Sequence, residues 1–234
     1  MKLVSNFLAL VIAISIFSCK KDNSLSGNPS SSKPTVNFQL KGTNPSSVVG
    51  RFAAQGLNTK TESNNIQWTA ATASISMIKF EAKKAGTEVE IKSNVHQTVD
   101  LLNVSAVIGS LSIPAGIYNE VEFRVQLSPD GTNPALEVKG QFTTGTVTSN
   151  IIFQADETIE IRGEKANVTI NDSTIHKAIT SLNLSMISQG ISLSSLINAT
   201  KTNGDIIITS SINADLYKII VKNLRELGEE EDFD

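Results

Sequence analysis

The sequence predicts a mainly β protein, built as an antiparallel β-sandwich with a C-terminal α-helical extension. Apolar and polar residues alternate over most of the chain after residue 34, which is the period of half-buried strands. Turn-forming residues divide this pattern into about eight or nine segments. Near the C-terminus the period becomes helical, and one face collects Leu216, Ile219, Ile220, Leu224 and Leu227.

The N-terminal segment has the features of a secretory signal. Lys2 is followed by an apolar run from Phe7 to Phe17. This run is shorter than the roughly 20 residues that cross a membrane as a helix, and it fits the apolar core of a signal peptide. Ser18 then precedes Cys19, the one cysteine of the chain. Residues 16–19 resemble a lipobox, so we expect residues 1–18 to be removed and Cys19 to be lipidated; the alternatives are a transmembrane anchor and a buried free cysteine.

Residues 19–34 are expected to form the lipidated start of the mature chain and a flexible tether. Their Ser, Gly, Asn and Pro residues bury too little apolar surface to offset the entropy of the chain. The start Cys-Lys-Lys-Asp resembles that of Bacteroidetes lipoproteins, in which a lysine followed by acidic residues marks export to the outer face of the outer membrane. Only Asp22 follows Lys21 here. The resemblance implies a lipid-anchored outer-membrane protein, at the cell surface in preference to the periplasmic face.

Residues 35–172 are predicted to form the sandwich. Its first strand lies at 36–40, and a long loop with a short edge strand near 48–52 follows. The alternation in the segment 66–82 changes phase after Met77, which indicates a bulge or bend within one strand.

The clearest strand covers residues 117–127. Its odd-numbered positions are mostly apolar, and its even-numbered positions from Tyr118 to Gln126 are mostly polar or charged. This pattern is typical of an antiparallel sheet with one wet face, and it places Tyr118 on that wet face. A hairpin loop is expected at 129–134. Further strands are predicted at 136–142, 149–153, 159–161 and 168–170.

Residues 173–234 are predicted to form a mixed α/β extension packed on the sandwich. The segment 174–186 fits a helix and a strand equally well, and the sequence does not decide between them. A short helix is expected at 192–199 and a strand at 205–210. The final helix is expected to begin after Asn213, whose side chain suits an N-cap.

Composition and charge exclude several classes of function. The net charge is −3, and the 20 Lys and Arg residues are scattered, which argues against nucleic-acid binding. A single cysteine excludes an intramolecular disulfide. His96 and His176 are the only histidines, and neither has the spacing of a metal site. We therefore expect no metal and no cofactor, and both histidines are interpreted as exposed or hydrogen-bonded surface residues.

One pair of motifs resembles a known family. Residues 99–102 read Val-Asp-Leu-Leu, and residues 114–118 read Pro-Ala-Gly-Ile-Tyr. This arrangement is similar to an uncharacterised family of bacterial lipoproteins with a prealbumin-like or immunoglobulin-like β-sandwich, in which the Pro-Ala-Gly-x-Tyr turn leads into a central strand. The resemblance covers about residues 70–172. It implies the type of sandwich and a location in the cell envelope, and it supplies no catalytic residues.

Two carboxylate pairs have the residue types of a glycoside hydrolase. These are Asp156 with Glu157, and Glu120 with Glu122, the latter roughly 7 Å apart along one strand. Such a site needs aromatic walls, and aromatic residues are 5% of the chain, so solvated surface is the favoured interpretation. Residues 130–133 loosely resemble a calcium loop but lack its bidentate glutamate, and we interpret them as a turn.

Trp68 and Tyr118 are the candidate ligand-binding residues, as a platform on which a sugar could stack. A core position is the alternative for Trp68. Residues 172–174 resemble a Bacteroidetes O-glycosylation acceptor at Ser173, and a helix cap is the alternative there.

The function expected from these features is that of a cell-envelope lipoprotein with a non-enzymatic ligand-binding, adhesion or scaffolding role. Its partners would be the membrane, through the lipid on Cys19, and a glycan or another envelope protein. The main alternative is a glycan-binding module of a surface polysaccharide system, and a hydrolase with an unrecognised site ranks third.

Overall fold

The computed structural model describes residues 33–49, 64–103, 107–172, 174–226 and 232–233. The predictions for residues 1–32, which include the signal peptide, lipidation of Cys19 and most of the tether, lie outside the described residues. The same holds for glycosylation of Ser173. Within the described part of the chain, no helix is both long enough and apolar enough to cross a membrane.

The strands are numbered in chain order. They are β1 (Thr35–Thr43), β2 (Ser46–Val48), β3 (Asn65–Lys84), β4 (Thr87–Asp100), β5 (Val107–Ser112), β6 (Gly116–Leu127), β7 (Leu136–Thr144), β8 (Val147–Ala155), β9 (Ile159–Ile170), β10 (Ile175–Asn183), β11 (Lys201–Thr202), β12 (Asp205–Ile208) and β13 (Asp232–Phe233). The α-helices are α1 (Leu193–Ile197) and α2 (Ala214–Glu226), and Met186–Ser188 form one 3-10 turn.

As the alternating pattern predicts, the described part of the chain is mainly β, with two sheets and a C-terminal helix. The larger sheet has the order β11-β12-β8-β7-β3-β6-β9, and β2 and β4 also pair with β3. The smaller sheet has the order β13-β10-β1-β5. The expectation of antiparallel pairing fails at two places, because β1 with β10 and β8 with β12 are parallel. Alternation reports which residues face the core and carries no information on the direction of the neighbouring strand.

The long strand β3 joins two halves of the larger sheet. Along one edge of β3, residues 65–73 pair with β7 and residues 75–83 pair with β6. Along the other edge, residues 72–84 pair with β4. The register shifts between Ile75 and Met77 in both of the latter pairings. This shift confirms the bulge predicted from the phase change.

An apolar core lies between the two sheets. Phe38 of β1 contacts Phe123 of β6 edge-on, with ring centroids 5.3 Å apart, and Phe80 of β3 packs on the same ring at 5.4 Å. All three rings are fully buried, and burial of each such side chain stabilises the fold by about 1.5–3 kcal/mol. The core therefore covers the inner face of β3 and β6.

The segment left undecided between helix and strand is the strand β10. It pairs with β1 from Thr35–Ile175 to Thr43–Asn183, so strands on both sides of residue 172 share the smaller sheet. The short helix predicted next is confirmed as α1. Ser192 caps it, since its hydroxyl accepts the Ser195 N–H at 3.0 Å.

Asn213 precedes the final helix as predicted, but it does not act as its N-cap. The helix α2 does begin at the next residue, but Asn213 has a left-handed φ of 53° instead of the extended conformation of an N-cap. Its side-chain oxygen accepts the Thr200 N–H at 2.9 Å, and its side-chain nitrogen donates to the carbonyl of Ile207 at 2.7 Å. The amide therefore ties Thr200, just before β11, to strand β12 at the start of α2.

The assignment of Tyr118 to the wet face is also wrong. Tyr118 is fully buried, whereas Ile117 is 65% exposed. Between the pairs Tyr118–Val168 and Glu120–Ala166, Asn167 has a left-handed φ of 56°, and the buried positions change phase there. A local irregularity of this kind reverses the facing of every residue beyond it.

Candidate ligand-binding face of the larger sheet

The outer face of the larger sheet carries charged residues in two adjacent rows that cross four strands. Strand pairing sets four glutamates directly opposite one another on β4, β3, β6 and β9, and they form the glutamate row: Glu90, Glu81, Glu122 and Glu164. The next outward position on each strand contributes to the cation row: Lys92, Lys79, Arg124 and Arg162. Neighbouring strands lie about 4.8 Å apart, so each row is a line of like charges with that spacing.

The rows arise from short sequence motifs brought into register. Each strand carries one glutamate and one basic residue separated by a single residue, as in Lys79-Phe80-Glu81 and Glu122-Phe123-Arg124. Such i, i+2 neighbours lie on one face of a strand, and the residue between them points to the other. Burial of Phe80 and Phe123 therefore turns the charges outward, and the pairing of the strands aligns them.

Ion pairs between the rows offset the repulsion within each row. Like charges directly opposite one another destabilise a sheet. Lys79 Nζ lies 2.7 Å from a carboxylate oxygen of Glu81 and 3.2 Å from one of Glu90. Arg124 is at the centre of the network, because its Nε and Nη2 donate to the two carboxylate oxygens of Glu122 at 2.8 and 2.9 Å.

One carboxylate oxygen in the network has a charge contact without a hydrogen bond. Arg124 Nε lies 2.8 Å from Glu81 Oε2, yet its N–H is directed to Glu122. Glu81 Oε2 is buried and has no hydrogen-bond partner. The Arg124 guanidinium is thus shared by two glutamates: it donates hydrogen bonds to Glu122 and makes only a charge contact with Glu81.

The ion pairs favour the charged forms of these groups. The hydrogen bond from Lys79 lowers the pKa of Glu90 below its ordinary value, and the hydrogen bond to Glu81 raises the pKa of Lys79. A catalytic acid at neutral pH needs a raised pKa. Glu90 is therefore suited to holding a positive charge and poorly suited to donating a proton.

The glutamate row lies in a groove of about 500 Å³. Its charged lining consists of Glu81, Lys83, Glu88, Glu90, Glu120, Glu122, Arg124, Glu164 and Lys165. Six carboxylates and three cations line the groove. Ion pairs join Lys79, Lys92, Arg162 and Glu160 to this set, so seven carboxylates stand against six cations in the whole cluster. A concave surface whose lining has more carboxylates than cations raises the local concentration of cations.

The carboxylate pair Glu120 and Glu122 lies in this groove, but each member has a cationic partner. Glu120 is paired with Lys83 at 2.8 Å, and Glu122 holds Arg124. The surrounding side chains are charged or small, so the aromatic walls of a glycosidase cleft are not found in the lining.

The other carboxylate pair, Asp156 and Glu157, lies in the loop between β8 and β9, beside α2. Tyr217 Oη is 2.8 Å from Asp156 Oδ1 and 3.1 Å from Glu157 Oε1. Ser210 also donates to Asp156, and Arg225 donates to Glu157 at 2.5 Å. Hydrogen bonds from Ser210 and Tyr217 lower the pKa of Asp156, whereas burial, reinforced by both carboxylates, raises the pKa of Tyr217. These contacts fasten α2 to the sheet.

Neither candidate aromatic residue offers a ring face to a ligand. Trp68 is 1% exposed, and its indole N–H donates to the carbonyl of Leu184 at 3.1 Å. Tyr118 is fully buried, packs edge-on against Phe80 and donates to the carbonyl of Pro114 at 2.5 Å. Both rings belong to the core, so a sugar cannot stack on them without opening the fold.

The two histidines lie in different sheets. His96 is exposed on β4. His176 on β10 is buried, and its Nε2 accepts the Asn171 N–H at 3.2 Å and lies 2.7 Å from Thr174 Oγ1. His176 is hydrogen-bonded, but its interpretation as a surface residue is wrong because the side chain is buried. Across the described ranges, no group of three or more His, Cys, Asp or Glu side chains could hold a metal ion.

The loop that loosely resembles a calcium site is a tight turn. Asp130 and Asn133 exchange two backbone hydrogen bonds of 3.0 Å each, and Gly131 between them has a φ of 61°. A left-handed φ at this position favours glycine for steric reasons, so the geometry of the turn accounts for the glycine.

Sequence reasoning missed the two rows because each row exists only after the strands pair. The signal was present as repeated Glu-x-Lys/Arg or Lys/Arg-x-Glu triplets at 79–81, 90–92, 122–124 and 162–164. Four such triplets at i, i+2 spacing on predicted strands indicate charged outer faces. Whether the glutamates meet glutamates or lysines depends on the register of pairing.

Comparison of the chain with protein-family models, curated proteins and solved structures finds no match in any of the three. The resemblance to the lipoprotein family stays a prediction.

Proposed function

We propose that this protein is a cell-envelope lipoprotein, anchored through lipidated Cys19, whose β domain binds a polycationic ligand without catalysing a reaction. The observation that carries the proposal is the groove over the glutamate row, where six carboxylates from four strands line one concave surface. The ligand would carry several ammonium groups along a linear chain. Ammonium groups about one strand spacing apart, roughly 4.8 Å, can each meet one glutamate of the row.

The carboxylates that line the groove outnumber the cations in the lining and favour a cation over an anion as the ligand. An anion would meet an excess of carboxylates, whereas a cation replaces or supplements the lysine partners of exposed glutamates such as Glu90 and Glu120, whose side chains are 49% and 72% exposed. Exposed ion pairs contribute only about 0–1 kcal/mol each. Exchange of one cation for another at these positions therefore costs little.

The envelope location rests on the N-terminal sequence. The apolar run of residues 7–17, followed by Ser18 and Cys19, supports lipidation, and Lys20, Lys21 and Asp22 favour the cell surface. Two sheets with a core between them are compatible with the immunoglobulin-like or prealbumin-like type of sandwich, which we include in the proposal.

Titration of the full chain in detergent with spermine, by calorimetry at about 0.1 M salt, tests the binding. In the groove variant, Glu90→Gln, Glu120→Gln and Glu164→Gln are combined. In the matched control, Asp172→Asn, Asp215→Asn and Glu226→Gln remove the same charge from exposed positions outside the groove. We expect the groove variant to bind spermine at least about tenfold more weakly and the control to keep its affinity. Equal affinities of all three proteins, or no binding by the unaltered chain, would overturn the proposal.

Mass spectrometry of the N-terminus of the protein isolated from its own cells tests the anchor. The expected product begins at Cys19 and carries acyl chains, and Cys19→Ser abolishes the modification and releases the protein from the membrane fraction. Protease treatment of intact cells then distinguishes the cell surface, where the domain is cleaved, from the periplasmic face, where it is protected. A native chain that retains residues 1–18 without acylation would refute the anchoring.

A further inference from the structure

We propose that two copies of this chain associate through β4, which pairs antiparallel with β4 of the second copy around a two-fold axis at Ile91. This association goes beyond the binding of a cation in the groove. It follows from the exposure of the β4 edge and from the order of the charged residues along that strand.

The strand β4 has one free edge. It pairs with β3 along residues 72–84 of that strand, and among the described residues no strand pairs with its opposite edge. The smaller sheet approaches β4 near Val95, whose Cγ2 would lie 3.3 Å from a Cβ placed on Gly109. Along residues 88–93, the backbone N–H and C=O groups that point away from β3 have no strand partner among the described residues, and such an edge is a template for another strand.

The two faces of this edge have different chemistry. Glu88, Glu90 and Lys92 are exposed on the outer face. Val89 and Ile91 point inward and are partly buried against the core. A strand added at this edge must therefore present charged residues on one face and apolar residues on the other.

A second copy of β4 meets both requirements in one register. When Ile91 lies opposite Ile91 of the second copy, Glu90 lies opposite its Lys92 and Lys92 opposite its Glu90. The same register sets Val89 opposite Ser93 and Glu88 opposite Asn94 of the second copy. Opposite charges directly across a pair of strands stabilise their pairing, and the two-fold axis makes each favourable pair occur twice.

Neighbouring registers place like charges together. A shift that centres the axis on Glu90 sets Glu90 against Glu90, and one that centres it on Lys92 sets Lys92 against Lys92. Like charges directly opposite one another are unfavourable. Side chains directly opposite each other in an antiparallel pair lie on the same face of the sheet. This excludes the registers in which a charged residue of one copy would lie opposite an apolar residue of the other. The axis at Ile91 is thus the register that the charges select.

The proposed pairing also continues the two rows of the charged face. The glutamate row of one copy ends at Glu90 on β4. In the proposed pairing, the next residue along that line is Lys92 on β4 of the second copy, where the cation row of the second copy begins. The result is one sheet in which β9, β6, β3 and β4 of each copy are joined at the centre. Each row then consists of four acidic residues followed by four basic ones, and the charges on the two sides of the junction attract each other.

Charge exchange between Glu90 and Lys92 tests the register directly. Glu90→Lys alone places the new lysine opposite Lys92 of the second copy, and Lys92→Glu alone places the new glutamate opposite its Glu90. Each variant should therefore form homodimers at least about tenfold more weakly than the unaltered chain. A mixture of the two variants restores opposite charges at both positions, and so does the double variant E90K/K92E. Native mass spectrometry of the full chain in detergent, with one variant labelled with ¹⁵N, separates heterodimers from homodimers.

The expected result is a dimeric unaltered chain, weakened homodimers of each single variant, heterodimers in the mixture and restored dimers of the double variant. The heterodimer also shows that both single variants are folded. Lys177→Glu, an exposed charge reversal on β10 in the smaller sheet, is the matched control and should leave the dimer intact. A monomeric unaltered chain, a dimer that neither single variant weakens, or a mixture that forms no heterodimer would overturn the proposal.

Discussion

Removal of the guanidinium of Arg124 should destabilise the protein more than removal of the guanidinium of Arg162, the other arginine of the cation row. The substitution is Arg124→Met, which keeps an unbranched apolar stem against the sheet and deletes the charge. Arg124 makes a two-point contact with Glu122 at 2.8 and 2.9 Å, and it lies 2.8 Å from Glu81 and 3.4 Å from Glu160. Its side chain is only 22% exposed.

The magnitude follows from these contacts. A hydrogen bond to a charged group contributes about 1.5–3 kcal/mol when it is shielded, whereas a fully exposed ion pair contributes about 0–1 kcal/mol. Arg124 and Glu122 are about one-quarter exposed, so the two-point contact lies between these limits. Loss of the charge also leaves Glu81 and Glu122 facing each other with less compensation. We expect a loss of about 2–3 kcal/mol, which lowers the melting temperature by about 4–12 °C in a domain of this size.

Urea unfolding of the full chain in detergent, followed by circular dichroism, measures the effect, and Arg162→Met is its matched control. Arg162 belongs to the same row but is 52% exposed and pairs with Glu160 at 2.9 Å, so its loss should cost no more than about 1 kcal/mol. Equal losses for the two substitutions would refute the idea that shielding of Arg124 sets its contribution. A stability of Arg124→Met equal to that of the unaltered chain would refute the network as a source of stability.

Three further predictions concern contacts outside the charged face. Tyr217→Phe removes the hydroxyl that bridges Asp156 and Glu157 and should cost about 1–2 kcal/mol in urea unfolding; no change would mean that this hydroxyl does not contribute to holding α2 in place. The pKa of Asp156 is lower in the folded protein than in the unfolded chain. The stabilisation by its carboxylate is therefore present above about pH 4, the unfolded pKa, and is lost as the pH falls through the folded pKa. The unaltered chain and Asp156→Asn should converge in stability in acid, and a stability difference that widens in acid would contradict the lowered pKa. In Gly140→Ala the new Cβ would collide with the carbonyl oxygen of Gln67, so the backbone must move and the melting temperature should fall, with a loss of about 1–3 kcal/mol of folding free energy.

The proposed cation site and the proposed dimer use the same sheet in different ways. The groove depends on the excess of carboxylates across four strands, whereas the dimer depends on the order of two charges along one edge. Neutralisation of Glu120 and Glu164 should weaken spermine binding and spare the dimer, because neither residue lies on β4. The two inferences can therefore fail independently.

The predicted platform of Trp68 and Tyr118 shows where sequence reasoning about the site breaks down. Trp68 lies in an alternating apolar register, and its burial follows from that pattern. Tyr118 lies among polar neighbours, and its burial follows from a change of phase near Asn167 on the adjacent strand. The sequence around Tyr118 contains no sign of that change, because the irregularity belongs to a pair of strands.

The amino-acid sequence by itself determined that the chain is mainly β, that β3 is bulged near Met77, and that the C-terminal helix exists. It did so because alternation, phase shifts and helical periodicity are local properties that a few neighbouring residues impose on the backbone. The lipid anchor at Cys19 stays a prediction, based on the apolar run of residues 7–17 and on the single cysteine that follows it.

Only the tertiary structure decided which strands are neighbours, in which direction they run and in which register they pair. These choices depend on contacts between residues far apart in the chain, such as β1 with β10, and no short segment encodes them. The glutamate and cation rows are consequences of register, and the edge of β4 that no described strand pairs with is a consequence of strand order. The features that carry the proposed functions were therefore present in the sequence only as unaligned pieces.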